Sequence, residues 1–139
     1  MRSTEEVLKR IVARKPTNFK IIDEHGKEVY VYCAWDAILY AILTNNNIEV
    51  ETILSDKNNR FKLDKNTELI VSFVDPHDEE KFPITNETPS NLCPYLRFFT
   101  NLEEFESWRN SLPEGIRRLI KPMRVREAFS MIQQYLNNV

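Results

Sequence analysis

Glycine is scarce in this 139-residue chain, which holds two in all, and neither GxGxxG nor GxxxxGK[ST] occurs. Gly-rich phosphate cradles need backbone that approaches the ligand bare of side chains, so nucleotide binding by those routes is excluded. Long apolar runs are missing too. The longest, "AILYAIL", is far too short to span a bilayer, and the charged start "MRSTEEVLKRIVARKP" lacks the apolar centre of a signal peptide. Nor does one sign of charge dominate: 19 Lys and Arg stand against 21 Asp and Glu, a net charge of -2. That balance gives no global pull toward nucleic acid or anionic lipid. The expectation is a cytoplasmic protein with no nucleic-acid and no membrane partner.

Cysteine is as rare as glycine. Cys33 and Cys93 lie far apart and form neither a CxxC pair nor a zinc framework. In the cytoplasm two such residues are thiols rather than a structural disulfide. The two histidines add little, with His25 beside a turn glycine and His77 in an acidic loop. Zinc held by Cys33, Cys93, Asp36 and a histidine is chemically allowed, but nothing in the spacing supports it. No cofactor is expected.

What remains is ordinary for a globular protein: 42% hydrophobic and 29% charged residues, enough for one domain with a real core. The expectation is a single domain over 1–139, with an N-terminal helix in 1–16 and the core in 17–139. "STEEVLKRIVAR" reads as a helix capped by Ser3 and Glu6, with Val7, Ile11 and Val12 as its stripe and Pro16 as its end. "NFKIIDEHGKEVYVYC" reads as a hairpin turning at Glu24-His25-Gly26. "AWDAILYAILT" is helical through Trp35, Ile38, Leu39 and Ile42, and stops at "NNN". "IEVETIL", "RFKLD" and "ELIVSFVD" are strands, with "SDKNN" and "KNT" as turns and "ELIVSFV" central. Residues 75–90 form a Pro-rich polar loop. "CPYLRFF" is a further strand, and Thr100 or Asn101 caps a helix presenting Leu102, Phe105 and Trp108. "VREAFSMIQQYL" is a last amphipathic helix. The order predicts an α+β fold: an antiparallel or mixed sheet core flanked by helices.

The chemistry-bearing stretch is "VYCAWDAILYAIL". Cys33 falls at the N-cap or first turn of a helix, where unpaired backbone N–H groups favour a thiolate. Asp36, three residues on, shares its face. The bland alternative is a small buried hydrophobe beside a carboxylate that merely suits a helix start. Cys93, ahead of Pro94 at a loop-to-strand junction, has the same two readings. The basic run "RRLIKPMRVR" (117–126) suits an acidic partner, but such a cluster is more often a solvated face.

Together these segments resemble the catalytic domain of the organomercurial (alkylmercury) lyases. That family carries Cys-x-x-Asp at a helix start, here Cys33-Ala34-Trp35-Asp36, and a second cysteine opening a stretch that ends in Phe-Phe, here "CPYLRFF". "ELIVSFVDP" and "VREAFSMIQQYL" match as well, so the resemblance runs over about residues 18–138. Tyr32 stands where the family usually has tryptophan. An additional non-catalytic cysteine found in some members is missing from "ETILSDKNNRF". Familiar members also have an N-terminal helical, winged-helix-like domain helping to cover the site; about one short helix precedes the hairpin here.

The resemblance implies protonolysis of a carbon–mercury bond, releasing a hydrocarbon and Hg(II). Cys33 and Cys93 would bind mercury as substrate and product, and Asp36 would relay the proton. Partners would be the organomercurial, external thiols and a mercuric reductase accepting Hg(II), in mercury resistance and detoxification. Aromatic walls from Tyr32, Trp35, Phe98 and Phe99 would raise the Asp36 pKa. A rival is a non-catalytic carrier or sensor of Hg(II) or Cu(I) on the same fold, with Cys33 and Cys93 as ligands. Another is an interaction domain docking through the basic C-terminal face.

Overall fold

The computed structural model describes residues 4–45, 47–54, 56–74 and 95–137. The fold is α+β, as expected, but its strands divide into two antiparallel sheets. The first holds five strands in the order β1 (Val12–Ala13), β3 (Glu28–Val31), β2 (Phe19–Ile22), β4 (Ile48–Leu54), β5 (Lys57–Leu63). The second holds β7 (Phe98–Phe99), β6 (Ile70–Val74) and β8 (Ile120–Arg124), with β6 in the middle as "ELIVSFV" predicts. Helices among the described residues are α1 (Thr4–Ile11), α2 (Ala34–Thr44), α3 (Leu102–Asn110), α4 (Glu114–Arg117) and α5 (Val125–Asn137).

Local chemistry accounts for most of these boundaries. In the β2–β3 hairpin Gly26 sits at φ +83°, where a side chain is strained, and the Asp23 carboxylate accepts the backbone N–H of His25 and of Lys27. Helix α2 ends at Asn45 in the left-handed region, the stop expected of "NNN". Asn101, rather than Thr100, is the N-cap of α3, its side chain accepting the Glu104 N–H at 2.9 Å. Asn101→Ala is therefore expected to lower stability by about 1 kcal/mol in denaturant unfolding, since that N–H loses its acceptor.

Four expectations change. The first helix stops at Ile11, and Val12, placed on its stripe, instead pairs with Val31 in β1; β-branched valine suits the pleated edge better than another helical turn. Ser3, the expected cap, lies outside the described residues. Strand β5 starts at Lys57 rather than Arg60, because Leu54 pairs with Lys57 across a tight turn with Asp56 at φ +61°. The basic run 117–126 contains a strand. Pro122 is tolerated there because, among the described residues, β8 is an edge strand paired to β6 alone. Finally, among the described residues of "CPYLRFF" (95–99), Phe98–Phe99 alone is strand.

The larger core lies between the first sheet, α2, α5 and one face of the second sheet. On α2 the deepest positions are Ala34, Ala37, Ile38 and Ala41, while Trp35, Leu39 and Ile42 are only partly buried. The alanines, absent from the expected stripe, supply the face that packs closest. Phe98 enters this core edge-to-face against Phe19 and Phe61, with centroids at 6.3 and 5.3 Å. Its neighbour Phe99 points the other way, into a second cluster with Phe105 and Trp108. Leu102, expected on that inner face, is exposed.

Candidate active site

Strand β3 runs into helix α2 through two residues, Tyr32 and Cys33. Cys33 is the N-cap, in extended backbone, as the sequence leads one to expect. It is 3% exposed. Its sulfur accepts no capping hydrogen bond from the helix; its thiol instead bonds the Asp36 carboxylate. The backbone Cys33 carbonyl accepts the Ala37 N–H at 3.2 Å and starts the helical ladder.

Asp36 is half-buried on the first turn. Burial removes water from its carboxylate and pushes the pKa from 3.8 up to about 6. Hydrogen bonds from the Tyr32 backbone, the Cys33 thiol and the Cys33 backbone oppose that rise without cancelling it. The outcome is a carboxyl that changes protonation near neutral pH while touching a thiol. Such a pair can take a proton from sulfur and return it to a neighbouring atom.

The aromatic walls expected here separate. Trp35 packs on Phe73, with centroids 6.5 Å apart, and Phe98 faces the same core, but Tyr32 is 38% exposed and Phe99 belongs to the other cluster. Strand alternation sends adjacent Phe98 and Phe99 to opposite faces, so the two do not line one pocket.

Cys93 lies outside the described residues, as do His77 and the loop predicted over 75–90. The chain that follows Cys93 is described from Tyr95, and it abuts the start of α2. The Leu96 carbonyl accepts the Ala34 N–H, at 3.2 Å, occupying one of the free N–H groups beside Cys33. Ser72 on β6 holds the same segment too. Its hydroxyl donates to the Tyr95 carbonyl (2.6 Å) and accepts the Arg97 N–H (2.9 Å), while its own N–H donates to the Arg97 carbonyl (3.0 Å). The Ser72 carbonyl accepts the Trp35 indole N–H at 2.8 Å.

Ser72 escaped the sequence reading. The available signal was a lone hydroxyl in the otherwise apolar "LIVSFV", at a position that is 0% exposed. His25 lies on the exposed hairpin turn, and among the described residues no group of three His, Cys, Asp or Glu side chains is arranged to hold a metal ion. Among those residues, too, no helix is long and apolar enough to cross a membrane.

Comparison with known proteins agrees with this architecture. The alkylmercury lyase (MerB) family model matches residues 12–136. Alkylmercury lyases of Bacillus cereus and Clostridium butyricum are each 24% identical to this chain over 110 residues, covering 76% of it and 48% of themselves. The chain thus spans about half the length of the curated relatives it matches. The crystal structure of the mercury-bound form of MerB2 superposes with a TM-score of 0.61 over 86% of this chain and 58% of that one, at 13% identity, a likeness of fold.

Proposed function

Because the chain belongs to the alkylmercury lyase family, we propose that it cleaves carbon–mercury bonds by protonolysis, with Cys33 and Cys93 as mercury ligands and Asp36 as proton relay. The observation that supports this most is the Cys33–Asp36 contact: a buried thiol bonded to a carboxyl whose pKa lies near 6. A buried cysteine serving only as core needs no half-buried carboxyl held against it, and burying that charge is costly.

The balanced reaction is R–Hg⁺ plus two cysteine thiols giving R–H, a Hg(II) bis-thiolate and one proton. Asp36 takes the Cys33 proton as the first sulfur–mercury bond forms. Cys93 then ligates the same mercury as a thiolate, its proton being the one released, because mercury prefers soft sulfur to carboxylate or water oxygen. Two thiolates push electron density onto the carbon, and protonated Asp36 delivers its proton there as the carbon–mercury bond breaks. Leu96, bonded to the residue after Cys33, is three residues along the chain from Cys93. A tether that short reaches no more than about 11 Å between Cα atoms, which is compatible with both sulfurs meeting one metal. External thiols, or a mercuric reductase, would then take up Hg(II).

The test is incubation of the protein with a phenylmercury salt and excess thiol, following benzene release and bound mercury. Benzene formed stoichiometrically with substrate consumed is the expected result. Mercury retained with no benzene above the thiol-only control overturns the lyase reading and selects a soft-metal carrier.

A further inference from the structure

Residues Ser72 and Arg97 face one another where β6 continues past the Val71–Phe98 pair. The Ser72 N–H donates to the Arg97 carbonyl, which marks a hydrogen-bonded antiparallel pair. In such a pair the return bond runs from the Arg97 N–H to the Ser72 carbonyl. Here it does not. The Arg97 N–H goes to the Ser72 hydroxyl, and the carbonyl left over accepts the Trp35 indole N–H. The hydroxyl also uses its proton, on the Tyr95 carbonyl.

We propose that Ser72 is a positioning residue: its side chain replaces its own carbonyl in the ladder, and the carbonyl so released locks the start of α2 to the Tyr95–Arg97 segment. The inference rests on the lyase reading, in which the first turn of α2 carries Cys33 and Asp36. Trp35 lies between these two residues in sequence, so whatever holds its indole restrains their common turn. The Leu96 carbonyl on the Ala34 N–H closes the same loop of contacts. No apolar residue at position 72 can do this. Without the hydroxyl, the Arg97 N–H and the Tyr95 carbonyl both lose the Ser72 side-chain bond that holds their segment. The position is fully buried, so water does not replace the missing bonds freely.

A small displacement of reacting groups is sufficient for a large loss of rate. Ser72→Ala and Trp35→Phe are each expected to lower kcat for benzene release from phenylmercury by about 10- to 100-fold, with KM changed by less than about threefold. Ser72→Thr, which keeps the hydroxyl, is expected to recover most of the rate. Combined, Ser72→Ala and Trp35→Phe should cost little more than either alone, because both cut the same link. A second arm needs no turnover: Hg(II) alone, titrated against dithiothreitol, should be held at least about tenfold less tightly by either variant.

Folded Ser72→Ala and Trp35→Phe proteins with kcat and Hg(II) retention within about twofold of the parent overturn the clamp and leave the lyase reading standing. Should Ser72→Ala fail to fold, Trp35→Phe carries both measurements. A parent protein that retains Hg(II) through its thiols without releasing benzene removes the lyase reading, and the Hg(II) arm then decides the clamp. A parent that does neither overturns both.

Discussion

Replacing Asp36 by asparagine is expected to slow hydrocarbon release by about 10²- to 10⁴-fold, the usual worth of a positioned proton donor and acceptor. The amide keeps the size of the carboxyl and a carbonyl oxygen for the backbone N–H groups, but takes no proton from Cys33 and gives none to carbon. Mercury binding should survive, because the ligands are sulfur. The pH profile offers a second reading of the same group. Parent kcat/KM should rise through an apparent pKa near 6 as Asp36 ionises and can accept the thiol proton; Asp36→Asn should lose that limb.

The same substitution should make the protein more stable. Asp36 has a folded-state pKa of about 6 against 3.8 for the ordinary carboxyl, so between these values the native state binds more protons than the unfolded chain. Stability contributed by the protonated form is full below pH 3.8, falls as pH rises toward 6, and stays lower above. The cost of the ionised form is on the order of 1–3 kcal/mol. Denaturant unfolding at pH 8 should therefore find Asp36→Asn more stable than the parent, with the difference disappearing near pH 4. A variant that loses activity and gains stability is the pattern of a residue held for chemistry at the expense of the fold. An asparagine variant that keeps parental activity would remove Asp36 from the mechanism.

Loss of either sulfur should be still more severe. Cys33→Ser and Cys93→Ser are each expected to reduce hydrocarbon release to the rate of free thiol in solution. Serine oxygen is a hard, weakly acidic donor, and a single remaining thiolate neither chelates mercury nor pushes enough charge onto carbon. Cys33→Ser is a clean replacement, since its hydroxyl can still donate to Asp36 in the same buried place. Unfolding curves should be nearly parental while cleavage is absent. Hg(II) titration should change from one metal held by two sulfurs to a weaker complex that small thiols strip. Parental turnover by either serine variant would show that the two cysteines do not act as a pair.

These expectations draw on two kinds of information. The pairing of Cys33 with Asp36 was readable from residue order, because three residues of helix bring side chains to one face wherever the helix sits. The capped starts, the turn at Gly26 and the stop at Asn45 are equally local, each set by one or two backbone angles and a nearby donor or acceptor. Other features depend on residues far apart in the chain. Strand β8 was hidden in a basic run, since its pattern is ambiguous until β6 lies beside it. The alanines of α2 look neutral in sequence and become the deepest contacts only once the sheet covers them. Phe98 and Phe99 look like one aromatic wall, yet the pleat sends them into different cores.

The site divides in the same way. Composition and spacing favour Cys33 as an inert core residue over a nucleophile, and resemblance to a family overturns that preference. What gives Asp36 its proton affinity is desolvation by packed neighbours, a quantity no local spacing contains. What ties its turn to the segment after Cys93 is the Leu96–Ala34 bond together with Ser72, a residue thirty-six positions from Asp36 in the chain. Residue identities set which groups can donate, accept or ligate, because covalent structure and short-range geometry are theirs alone. Which of those groups lose water, and which hydrogen bonds are exchanged in the process, is settled when distant segments pack together.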